Sequence, residues 1–153
     1  MGPLLSLDLS GNLLSGGLPA AWARQRSLVR LSLARNTLAG SLPREWGALA
    51  GLLQLDLGGN VLTGALPPQW AALAQATSLD LSANRLVRSL PWEWGRLASL
   101  QVLSLQDNQL TGVSRAAGLS KALGRRGRGE WPQNRNSSSQ PSPHSLSVQR
   151  LAP

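Results

Sequence analysis

At 153 residues the chain has the length of one ordinary domain. It contains no cysteine, which excludes a disulfide framework and any thiolate metal site. Its single histidine, His144, lies in a Ser/Pro-rich stretch, which argues against histidine acid–base chemistry in a folded part. The net charge of +8 is unevenly spread: residues 1–113 carry eight arginines against six acidic residues, and residues 114–153 carry seven basic residues against one glutamate. No apolar run approaches the ~18–20 residues of a membrane span.

From residue 4 onward the chain repeats. Asn12, Asn36, Asn60, Asn84 and Asn108 are each 24 residues apart, and the units around them start near residues 4, 28, 52, 76 and 100. The shared pattern is L-x-x-L-x-L-x-x-N-x-L-x-G-x-L-P-x-x-W. Within each unit, leucines such as Leu7 and Leu9, Leu31 and Leu33, or Leu55 and Leu57 alternate with polar residues, which predicts a strand with one buried face. One unit cannot bury that face alone. Stacked units build a parallel sheet over a continuous core.

The asparagine follows the strand, where its amide both donates and accepts, so a column of Asn is expected to satisfy turn groups of adjacent coils. Four places later stand Gly16, Gly40, Gly64 and Gly112, suited to a bend that disfavours a Cβ. Arg88 replaces glycine in the fourth unit, where local distortion is expected. Pro19, Pro43, Pro67 and Pro91 fix φ at the start of the outer run. Trp22, Trp46, Trp70 and Trp94 each follow their Asn by ten residues and precede a small residue: Ala23, Gly47, Ala71 or Gly95. A small neighbour leaves room for a large ring against the core, so a packed tryptophan column is expected, with aromatic ligand binding as the alternative. Trp92 has no counterpart in the other units and is expected to be exposed. Gln25 replaces the leucine of later units (Leu49, Leu73, Leu97), so the first coil is expected to fray.

This pattern resembles the leucine-rich repeat family, and within it the plant-type class, which continues L-x-G-x-[IL]-P after the asparagine. The Leu-Pro-x-x-Trp variant is similar to repeats of green algae and protists. The resemblance covers residues 4–113. It implies an α/β-type repeat solenoid: a right-handed coil of about five repeats, a parallel sheet on the concave side, and irregular or 3-10 segments on the convex side. It also implies binding of a protein or peptide by the concave sheet. There the strand positions are Ser6, Asp8, Arg30, Ser32, Gln54, Asp56, Ser78, Asp80, Val102 and Ser104. Asp8, Asp56 and Asp80 share a column that reads either as solvated scaffold or as a contact row.

Glu45 and Glu93 fall on the outer face of separate coils, too far apart for paired acid–base work. No phosphate loop, metalloprotease or nucleophile-elbow motif occurs, so no enzyme, cofactor or metal site is expected. The domain is expected to span residues 1–115, with a short capping helix over 116–123 and a basic, disordered Ser/Pro/Arg-rich tail over 124–153. In that tail Arg125, Arg126 and Arg128 offer a minor alternative, contact with RNA, although nucleic acid is disfavoured as the main partner. Three readings of the whole stay open: a recognition module, an intracellular cytoskeletal or ciliary scaffold, and a fragment of a receptor-like protein. The sequence shows no signal peptide, which tilts the expectation toward a cytoplasmic or cytoskeletal place.

Overall fold

The structure is a computed structural model that describes residues 2–113 and 147–148. Each of five coils opens with a short strand: β1 Ser6–Asp8, β3 Arg30–Ser32, β5 Gln54–Asp56, β7 Ser78–Asp80 and β9 Val102–Ser104. A tight turn leads to a second strand: β2 Ser15–Gly17, β4 Thr37–Ser41, β6 Val61–Gly64, β8 Arg85–Leu90 and β10 Gln109–Val113. The first four coils return through 3-10 helices: η1 Ala20–Arg24, η2 Arg44–Ala48, η3 Pro68–Ala72 and η4 Trp92–Arg96.

The first strands form the expected parallel sheet. Every residue pairs with its equivalent in the next coil, Leu7 with Leu31, Leu31 with Leu55 and Leu55 with Leu79. Strands that share one register keep all their leucines on one face. Leu31, Leu55, Leu79 and Leu103 are accordingly buried in a single core with Leu33, Leu57, Leu81 and Leu105.

The second strands were not expected. They form a parallel five-stranded sheet in the order β10-β8-β6-β4-β2. The alternation after the asparagine explains them: Thr37 is exposed, Leu38 buried and Ala39 half-buried, a period of two. Here Ser15 pairs with Thr37 and Ala39 with Val61, two positions short of the first sheet's offset. A slip of two preserves the alternation of faces, so Leu38, Leu62 and Leu86 still point into the core.

Pro19, Pro43, Pro67 and Pro91 precede the 3-10 helices with φ between −63° and −72° and extended ψ. Each proline carbonyl accepts from the tryptophan N–H three residues on, and that tryptophan's carbonyl accepts from the residue at the end of the turn (Leu49 to Trp46, 3.0 Å). The fixed proline φ is thus used to start a turn that the backbone then closes.

The first coil is paired in the structure: β1 pairs with β3 along its length and η1 is formed, but no residue of η1 is buried and Leu4, Leu5, Leu13 and Leu14 are exposed. Arg88 takes the left-handed conformation of its glycine counterparts: its φ of +69° lies beside those of Gly16, Gly40 and Gly64 (+86°, +81° and +83°). A local irregularity does fall beside it, where the register of β8 against β10 shifts between the Arg88–Leu110 and Leu90–Val113 pairs.

One further strand, β11 Ser147–Val148, runs antiparallel against β9, with Ser147 opposite Ser104 and Val148 opposite Leu103. The rest of the expected tail over 124–153 lies outside the described residues. The proposed capping helix at 116–123 and the arginines at 125–128 lie outside the described residues.

Candidate ligand-binding face

The first sheet presents one exposed face. On it Ser6, Asp8, Arg30 and Gln54 are exposed, and Ser32, Asp56, Ser78, Asp80, Val102 and Ser104 are half-buried. The 24-residue register stacks them into columns: Asp8, Ser32, Asp56, Asp80 and Ser104 in one, and Ser6, Arg30, Gln54, Ser78 and Val102 in the other. Adjacent members of a column stand about 4.8 Å apart, the spacing of paired strands.

The aspartates of the first column each hold their own turn. Asp8 Oδ1 accepts from Ser10 N (2.9 Å), Asp56 Oδ1 from Gly58 N (3.0 Å), and Asp80 Oδ1 from both Ser82 N (2.9 Å) and Ser82 Oγ (2.6 Å). Their environments differ. Hydrogen bonds from Ser10, first from its side chain and then from its backbone, hold the exposed Asp8 carboxyl below the ordinary value. Burial pushes Asp56 up, opposed by the Gly58 N–H, and the Asp80 charge raises it further.

Beside this column lies a shallow hollow of about 290 Å³, lined by Ser10, Ala34, Arg35, Asp56, Gly58, Gly59, Asp80 and Ser82. It exists because position 58 carries no side chain. A Cβ there would stand 3.1 Å from Ser82 Oγ, 3.2 Å from Asp80 Oδ1 and 3.4 Å from Asp56 Oδ1. Arg35, exposed and left-handed at φ +54°, borders the hollow, and its charge lowers the pKa of both Asp8 and Asp56. Sequence reasoning passed over Arg35. Its signal was a column reading Gly11, Arg35, Gly59, Ala83 and Asp107, in which one long cation adjoins the aspartate row.

The asparagines lie behind this face. Asn60 Nδ2 donates to the carbonyls of Leu33 (3.1 Å), Leu57 (3.0 Å) and Gly58 (3.5 Å), and its Oδ1 accepts from Leu38 N (3.0 Å). Asn36, Asn84 and Asn108 repeat the arrangement, each reaching one carbonyl and one N–H of the preceding coil. Asn12 bonds only within its own coil, to Leu9 and Ser10.

The tryptophans stand on the opposite wall. Trp46 and Trp70 are fully buried, Trp94 is 3% exposed, and Trp22 is half-buried. Their rings are near-parallel, with centroids 6.2, 6.3 and 6.0 Å apart along the column. The indole N–H of Trp46 donates to Pro19 O (3.0 Å), Trp70 to Pro43 O (2.9 Å) and Trp94 to Pro67 O (2.9 Å). At Gly47 the small residue has a different reason from the one expected: a Cβ would collide with the Gln69 carbonyl of the next coil. Glu45 pairs with Arg44 at 3.3 Å, both exposed, while Glu93 sits two 3-10 turns away in η4. Among the described residues no group of three or more potential ligands could hold a metal ion, and no helix is long and apolar enough to cross a membrane.

A family model for the Leucine Rich Repeat matches residues 3–24 and 99–117. The fold also matches the crystal structure of a TDR receptor, with a TM-score of 0.75 and 32% identity over 78% of this chain and 21% of that one. The chain belongs to the plant-type leucine-rich repeat family. A second neighbour is the ectodomain of the Arabidopsis thaliana receptor kinase GASSHO1/SCHENGEN3, in complex with Casparian strip integrity factor 2 (TM-score 0.72, 38% identity, 77% of this chain and 14% of that). A third is the Arabidopsis thaliana BIR3–SERK2 complex (0.70, 37%, 76% and 62%). This leucine-rich repeat chain therefore spans about a fifth or less of the first two structures and 62% of the third. No curated protein sequence matches it.

Proposed function

We propose that the chain is a non-catalytic module that binds a protein or extended peptide on the exposed face of its first sheet. The observation that carries this reading is the column register. Five coils bring ten side chains of mixed charge and polarity into two straight rows on rigid strands, with a hollow at Gly58 beside the aspartate row. An extended partner laid across the strands meets the rows one coil at a time, and its affinity is the sum of small contacts. Among its described residues the face has no aromatic anchor, so specificity rests on the pattern of Asp8, Arg30, Arg35, Gln54, Asp56 and Asp80. The GASSHO1/SCHENGEN3 ectodomain, solved with its bound factor, supports a protein or peptide as the class of partner.

The test is selection of binders from a random peptide display library on the full chain. Selected peptides should lose binding to a Gln54→Ala/Asp56→Ala/Ser78→Ala/Asp80→Ala variant and keep it to Arg44→Ala on the outer face. Peptides that bind all three proteins alike would show that this face is scaffold.

A further inference from the structure

In a repeat protein, a position where one coil departs from all the others marks something that the coil path does not require. At three exposed positions the fourth coil carries a residue that no other coil has there, and at a fourth it repeats an arginine found otherwise only in the first coil. Arg85 stands where the other coils have Leu13, Thr37, Val61 and Gln109, and Arg88 where they have Gly16, Gly40, Gly64 and Gly112. Trp92 takes the place of Ala20, Arg44 and Pro68, and Arg96 that of Arg24, Ala48 and Ala72. These four residues follow one another in the chain along β8 and η4, outside the first sheet.

Three observations set this strip apart. Trp92 is 41% exposed, unlike the column tryptophans, and the Arg96 guanidinium lies over its ring, 5.7 Å from the centroid. Arg88 holds a left-handed backbone where the repeat elsewhere uses glycine, so its side chain is kept against a conformational penalty. Among the described residues the one ion pair is Arg44–Glu45, which leaves Arg85, Arg88 and Arg96 without a carboxylate partner there. Glu93 is the single acidic side chain within the strip.

We propose that Arg85, Arg88, Trp92 and Arg96 form a second docking surface, separate from the first-sheet face, for an acidic segment of a partner protein. Charge complementarity decides the class of partner: three guanidiniums seek carboxylates, and each can hold one bidentately. The Trp92 ring supplies the apolar anchor around which water is excluded. Arginine and tryptophan are the side chains that most often carry binding energy at protein interfaces.

The repeat itself supplies a variant whose folding is not in doubt. Arg85→Thr/Arg88→Gly/Trp92→Ala/Arg96→Ala gives the fourth coil residues that other coils already hold at those places. The probe is a fluorescein-labelled Glu/Leu peptide, with anisotropy read on the full chain. We expect the variant to lose about tenfold or more in affinity, the wild-type binding to weaken with added salt, and the far-ultraviolet circular dichroism to stay unchanged. A tail variant, Arg125→Ser/Arg126→Ser/Arg128→Ser, should lose much less. The proposal is overturned if the wild type does not bind the peptide, or if the tail variant loses binding while the coil variant keeps it. It is equally overturned if labelled oligouridylate binds the strip more tightly than the acidic peptide. Asp56→Ala/Asp80→Ala should leave capture of this peptide intact, so this surface and the first-sheet face fail independently.

Discussion

The indole N–H of Trp70 donates to the carbonyl oxygen of Pro43 across a coil boundary, at 2.9 Å. The same proline starts the turn in which Trp46 sits, and Trp46 stacks on Trp70. The tryptophan column is thus both apolar filling and a set of hydrogen bonds from each coil to the one before it. Replacing Trp46 with Ala should cost about 3–5 kcal/mol in urea denaturation. Trp46→Phe should fall between that variant and wild type, because it keeps a ring but leaves Pro19 O without its indole donor. Equal stability of the Ala variant would show that the column does not hold the coils together.

Asn60 and Asn12 test the asparagine column against its own end. Asn60→Ala strips four bonds from buried backbone groups, two of them in the preceding coil, and should cost about 3 kcal/mol. Asn12→Ala removes two exposed bonds within one coil and should cost no more than about 1 kcal/mol. Chemical denaturation of the two variants side by side reads the difference.

Arg88→Gly should stabilise the chain. A left-handed backbone penalises a residue with a Cβ by about 1–2 kcal/mol, and the greater freedom of glycine when unfolded offsets roughly 0.4–1 kcal/mol of the gain. The net expectation is a rise of between zero and about 1.6 kcal/mol. Arg88→Val, β-branched at φ +69°, should lower stability instead.

Asp8 and Asp56 occupy one column but should respond to pH with opposite signs. The folded-state pKa of Asp56 is raised, so its protonated form fits the fold better, and its contribution is lost as pH rises from about 3.8 through the raised value. Asp56→Asn should therefore be at least as stable as wild type at neutral pH, with the gap closing in acid. Asp8 is lowered, so its contribution is present above 3.8 and disappears as pH falls through the depressed value. Asp8→Asn should be the less stable protein at neutral pH and converge with wild type in acid. Thermal melts across the acid range check both signs.

The parts legible in the sequence are those that a 24-residue period repeats. Leu31, Leu55 and Leu79 declared a strand face, and the spacing of Asn36, Asn60 and Asn84 declared a turn common to every coil. The second sheet was missed because three of its strands carry a glycine (Gly16, Gly40, Gly64) that reads as a turn residue in a sequence. The alternation of Thr37, Leu38 and Ala39 is clear only once the neighbouring strand is seen beside it. The hollow at Gly58 was hidden for a different reason. It arises where Asp56, Gly58, Asp80 and Ser82 converge from adjacent strands beside Arg35, and no single repeat contains it. Gly47 was read as room for an indole, whereas the neighbour that excludes a side chain is the Gln69 backbone in the following coil.

Because the asparagine and tryptophan bonds that link coils reach only the adjacent one, cohesion in this molecule is counted in boundaries. An inner coil such as that of Asn60 is held on two sides, whereas the coil of Asn12 is held, among the described residues, on one. Opening should then proceed like the unpeeling of a stack of cards, from the outermost coil inward, with the third coil the last to yield its amides to solvent. A force applied along the stack would meet a series of similar steps in place of a single yield point.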